Sequence, residues 1–240
     1  MAGIAIEQPD RQGSVLMFRA LKLIKLTFLF LIAAVAINAA GGKNDVSVKA
    51  DYDGDGVIDN AFWRPATGNW YISLAADDGD AKNVIVKKWG KRGDTPVPAD
   101  YDGDGKADLA FFRPGENGWY IMFSSTENWR VFTLGDFTAD LLVPADYDGD
   151  GKAEPAVYSR GRWQRLNIDT GEIEPLVLGF DDDRPAPGDY DGDGTIDFAV
   201  KRAGTYFIYE STGPRFRTAR FSKRDQLPKN MPVVRDPRKF

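Results

Sequence analysis

PADYDGDGKAD, residues 98–108, returns almost letter for letter as PADYDGDGKAE at 144–154. Its central hexapeptide, DYDGDG, begins at Asp51, Asp100, Asp146 and Asp189, at intervals of 49, 46 and 43 residues. A sequence that recurs at that period is built from repeated structural units. Within each copy carboxylates stand at positions 1, 3, 5 and 9. They are Asp51, Asp53, Asp55 and Asp59; Asp100, Asp102, Asp104 and Asp108; Asp146, Asp148, Asp150 and Glu154; and Asp189, Asp191, Asp193 and Asp197. Position 7, occupied by Val57, Lys106, Lys152 or Thr195, offers its main-chain carbonyl.

Five or more hard oxygens around one ion select calcium over zinc. A flexible loop selects it over magnesium, whose shell is smaller and close to octahedral. Glycines at positions 4 and 6 let the backbone turn sharply enough for alternate carboxylates to converge. Four carboxylates that converge repel one another unless a cation stands among them, so up to four calcium ions are expected. An EF-hand would need a glutamate at position 12 and flanking helices. Position 12 here is Phe62, Phe111, Val157 or Val200, which are strand residues.

After each loop comes a run of β-formers, exemplified by residues 108–113, then a turn at 114–118, a second run at 119–123 and a third at 129–134. A short extended segment, 143–145, leads into the next loop. Each copy thus predicts four short strands with turn chemistry between them, and no helical period competes. The fold class is all-β, a propeller-like array of four four-stranded blades at about 46–88, 96–134, 142–178 and 185–221.

These loops and strands resemble the FG-GAP/VCBS repeat family over about residues 46–221. The resemblance implies a β-propeller whose calcium loops join the first and second strands of each blade. Trp89-Gly90, Leu134-Gly135 and Leu178-Gly179 stand where that family has Phe-Gly. Seven blades are common in the family and four are visible here. That leaves a small closed ring, an open arc, or a homodimer completing a larger ring. Met231 to Asp236 aligns with the segment before each loop and is expected to add a fifth first strand, within a basic terminal segment at 222–240.

The chain has no histidine and no cysteine, which removes the commonest general base, disulfides and thiolate metal sites. Among residues 17–40, Arg19, Lys22 and Lys25 precede an apolar run from Leu26 to Ile37 and then small residues. That is the order of a secretory signal. As a helix the run would be about 18 Å long, short of a hydrocarbon core of about 30 Å. A signal peptide is expected, with secretion or periplasmic export; the alternative is a membrane anchor extended from Leu21 to Ala40. Residues 1–16 are a polar extension, which Met17 as the true start would exclude.

Net charge is −5, and −7 once residues 1–40 are removed, which speaks against nucleic acid as a partner. The four loops hold 16 of the 34 acidic residues of that remainder, so four divalent ions would bring it to about +1.

Arg64, Arg113 and Arg202 recur thirteen residues after the first loop aspartate, with Arg160 nearby in the third copy, and Trp70, Trp119, Trp163 and Tyr206 follow them. Such a set reads either as an arginine ring that grips carboxylated glycans or as repeated packing. From Arg215, through Arg217 and Arg220, to the terminus the local charge is +7, suited to an anionic polysaccharide, phospholipid headgroups or an acidic partner, or to a solvated edge strand. No nucleophile–base set is present. The expected function is an exported calcium-binding propeller that serves as a non-enzymatic binding or assembly module for a glycan or an extracytoplasmic protein. The alternatives are a polysaccharide lyase or its accessory domain, and a membrane-anchored scaffold subunit.

Overall fold

A computed structural model of the protein describes residues 42–75, 84–135, 140–213, 215–221, 228 and 231–239. The polar extension at 1–16 and the signal or anchor expected at 17–40 lie outside the described residues. No helix among the described residues is long and apolar enough to cross a membrane.

The described chain is all-β and forms four antiparallel sheets of four strands, each ordered as the chain runs. The first holds β1 (Val46–Ser47), β2 (Asn60–Arg64), β3 (Asn69–Ser73) and β4 (Ile85–Lys88). The second holds β5 (Thr95–Pro96), β6 (Leu109–Arg113), β7 (Gly118–Met122) and β8 (Trp129–Thr133). The third holds β9 (Leu141–Leu142), β10 (Ala156–Ser159), β11 (Arg162–Leu166) and β12 (Ile173–Val177). The fourth holds β13 (Arg184–Pro185), β14 (Phe198–Arg202), β15 (Thr205–Tyr209) and β16 (Phe216–Arg220). Each acidic loop joins the two-residue first strand to the second strand of its sheet.

Alternation along the strands gives every sheet two faces, and neighbouring sheets pack face to face. Trp63, Trp70 and Ile72 of the first sheet meet Leu109 and Met122 of the second. Phe112, Trp119 and Ile121 of the second meet Val157 and Leu166 of the third. Tyr158 and Trp163 of the third meet Phe198 and Val200 of the fourth. Among the described residues, no such cluster joins the fourth sheet to the first. The indoles of Trp70, Trp119 and Trp163 are buried and donate to the carbonyls of Trp89, Leu134 and Leu178, which satisfies a polar group that burial would otherwise penalise. The glycine that follows each of these carbonyls allows the next sheet to approach. A Cβ on Gly135, whose φ is +88°, would stand 2.9 Å from Cγ1 of Val157.

The two end faces are more polar than the internal ones. The pairs Trp63–Trp70, Phe112–Trp119 and Tyr158–Trp163 have as their counterpart in the last sheet Lys201–Tyr206, with Lys201 exposed. On the opposite face, the first sheet carries Asn60–Ser73 where the second has Leu109–Met122 and the fourth Phe198–Tyr209. The segment from Met231, expected as a fifth first strand, makes one bridge pair instead: Arg235 and Leu142 exchange backbone hydrogen bonds of 2.8 and 2.9 Å. Its guanidinium donates to the carbonyl of Ser47 at 2.7 Å, so the tail links the third sheet to the first.

Candidate metal centres

All four acidic loops have the same internal bonding. In the second, Asp100 accepts the amides of Gly103 and Gly105 at 2.7 and 2.8 Å, and Asp104 accepts that of Lys106 at 2.9 Å. Gly103 and Gly105 have φ of +78° and +85°, a region that a side chain disfavours. The other copies repeat these bonds, with Asp51, Asp146 and Asp189 each receiving the amides at positions 4 and 6.

Position 9 is the anchor of the loop. Asp59, Asp108 and Asp197 are buried and each accepts two backbone amides, one from position 2 of its own loop and one from beyond the third strand of its sheet. Glu154 accepts the amide of Tyr147. Burial pushes the Asp108 carboxyl up to about 7 and the Glu154 carboxyl up to about 8. Asp100 and Asp197 are displaced in the same direction for the same reason. Such carboxyls resist ionising unless a cation joins them.

The structure brings carboxylate oxygens within 4.8 Å of one another in every loop. The sets are Asp51, Asp53 and Asp59; Asp100, Asp102 and Asp108; Asp146, Asp148, Asp150 and Glu154; and Asp189, Asp191 and Asp193. Oxygen donors alone, with hard carboxylates predominating, fit a hard divalent cation. Asp55 and Asp104 stand outside these sets, although position 5 accepts the position-7 amide in all four loops. Asp104 also takes the hydroxyl of Ser124. Asp197 likewise lies outside its set. Of the position-7 residues, Val57 is exposed, while Lys106, Lys152 and Thr195 lie over Gly54, Gly103 and Gly149 of the preceding loops.

The loops are also bonded in series. The carbonyls of Asp51, Asp100 and Asp146 accept the amides of Ala107, Ala153 and Ile196, at position 8 of the following loop, at 2.7, 2.6 and 2.8 Å. Residues 92–126, which include the second loop, match the family model of the FG-GAP repeat. Over that stretch the chain is similar to an FG-GAP repeat. No curated protein matches the chain. The solved structure of U3-55K aligns with a TM-score of 0.41 at 14% identity, over 76% of this chain and 54% of that one, so the chain spans about half its length.

One role shared by the four loops was not legible in the sequence. Tyr52, Tyr101, Tyr147 and Tyr190, at position 2, send their hydroxyls back to the carbonyls of Val48, Val97, Val143 and Ala186 at 2.5 to 2.8 Å. Each ties its loop to the strand before it. Their presence in all four copies was the available signal.

The arginines singled out by recurrence are held by carboxylates. Arg64, Arg113 and Arg202 pair with Asp45, Asp94 and Asp183, each nineteen residues earlier, at 2.8, 2.8 and 2.5 Å. Each also stacks on two rings: Phe62 and Tyr71, Phe111 and Tyr120, or Phe180 and Phe207. Arg160 is exposed in the turn between β10 and β11, with φ of +50°. Arg215 and Arg217 both pair with Glu210, and Arg220 donates to the Thr205 hydroxyl.

Proposed function

We propose that the protein is an exported, calcium-binding β-propeller-type module that binds a glycan or an extracytoplasmic protein and performs no catalysis itself. The observation that carries this reading is the convergence of carboxylate oxygens within 4.8 Å in four loops, at the same place in four packed sheets. Calcium supplies charge compensation and a fixed coordination shell there, with the carboxylates at positions 1 and 3 as ligands in every loop. Position 9 adds a ligand in the first three loops, and position 5 in the last two. The loops would then present a rigid edge to a partner.

A hollow of about 390 Å³ on this edge is bounded by Asp51, Asp100 and Asp146 and by Lys49, Lys106 and Arg235. Its mixed charges suit a polar ligand such as a glycan, with the basic tail favouring an anionic one. The polar end faces, marked by Lys201, Asn60 and Ser73, favour an array complete in one chain over two chains joined end to end.

Thermal unfolding of the full chain in EDTA, then in millimolar calcium or magnesium, with the mass read by light scattering, tests this reading. A calcium-specific rise in melting temperature at monomer mass is expected. No response to calcium would make the loops ordinary acidic turns and end the metal reading.

A further inference from the structure

The third loop departs from the other three at two places that meet in space. Its position 9 is Glu154 where the others have aspartate. In β11, Arg165 stands opposite Ala156; the corresponding residues are Ile72 opposite Ala61, Ile121 opposite Ala110 and Ile208 opposite Ala199. Isoleucine thus holds this position in the first, second and fourth sheets, and arginine holds it in the third.

The Arg165 side chain is 16% exposed, and its Nη1 lies 3.4 Å from Oδ2 of Asp148 and 3.7 Å from Oε2 of Glu154. That nitrogen makes no hydrogen bond. Nε and Nη2 hold Glu174 Oε2 at 3.0 and 2.6 Å, which fixes the plane of the guanidinium. Asp59, Asp108 and Asp197 each accept a second amide, from Ala75, Ser124 and Ser211 respectively, whereas beside Glu154 stands this cation.

We propose that Arg165 is a built-in counter-cation of the third loop, so that this loop holds calcium more weakly than the other three. The proposal rests on the calcium reading above. A guanidinium keeps its charge at any accessible pH. A divalent ion entering between Asp148 and Glu154 must meet that charge at short range and in surroundings that screen it poorly. The other three loops present no such charge from this position.

Native mass spectrometry of the full chain, with calcium titrated, counts the ions and ranks them. Three ions are expected to bind together, and a fourth at about ten-fold higher free calcium. Arg165→Ile should bring the fourth into line with the others, and Arg165→Lys, which keeps the charge, should leave it weak. In the chain that retains Arg165, Asp146→Asn should abolish the weak ion and spare the three tight ones. Four equal ions in the unaltered chain, or loss of a tight ion in Asp146→Asn, would overturn the proposal while leaving the calcium reading intact. Binding of no ion by any form would overturn both. These two measurements decide the matter even if Arg165→Ile fails to fold.

Discussion

The second and third sheets have nearly the same loop sequence and opposite arrangements of arginine. In the second, Arg113 lies on the face toward the first sheet and grips Asp94, while Ile121 fills the opposite face beside the loop. In the third, the position of Arg113 is taken by Ser159, and the position of Ile121 by Arg165, which reaches the loop carboxylates. One backbone accepts both arrangements because backbone pairing and aromatic packing, common to both sheets, set the frame. Charges are then distributed within it.

That comparison predicts where the two sheets should respond alike and where they should diverge. Trp119→Ala and Trp163→Ala should each cost about 3–5 kcal/mol in urea unfolding, since each removes a buried indole between sheets. A large inequality between them would show that the frame is not shared.

Asp94→Ala should cost about 3 kcal/mol by removing the buried carboxylate that Arg113 grips, which leaves the guanidinium only the more distant and exposed Glu116. Ser159→Ala, at the position corresponding to Arg113, should change stability by about 0.5 kcal/mol or less.

The carboxyls of Asp108 and Glu154 have folded values of about 7 and about 8, above the ordinary 3.8 and 4.5. Between these limits the folded chain binds more protons than the unfolded one, so the stability of the metal-free chain falls as pH rises. In EDTA the melting temperature should therefore drop from pH 5 to pH 9, and saturating calcium should flatten the slope. Asp108→Asn should remove the part of the drop that ends near pH 7, and Glu154→Gln the part that continues to about pH 8. A flat profile in EDTA would contradict the burial of these groups.

The smallest effect belongs to the turns. Arg160→Gly should stabilise the third sheet by about 0.5 kcal/mol, because φ of +50° costs an arginine more than a glycine. Asn117, at φ of +48° in the second sheet, should respond less, since asparagine tolerates that region better.

The strands and loops were legible because their signals are local. Turn glycines, alternation and the DYDGDG spacing each act within a few residues. The same spacing brought positions 1 and 3 together in every loop, yet it did not show that Asp104 would turn to Ser124, or Asp197 to the amide of Ser211. Those bonds depend on a segment that arrives after two further strands. Recurrence marked Arg64, Arg113 and Arg202 without revealing their nineteen-residue partnership with Asp45, Asp94 and Asp183. The role of Arg165 lay hidden for a related reason: it is visible only when strand registers of different sheets are compared.

The serial bonds from Asp51 to Ala107, Asp100 to Ala153 and Asp146 to Ile196 give the array a grammar of growth. Every internal loop both offers a carbonyl forward and spends an amide backward. A fragment of a repeat inserted into the gene would break two junctions at once, whereas a whole repeat would restore both. The bonding pattern of the loops is therefore kept only when complete units are added or removed.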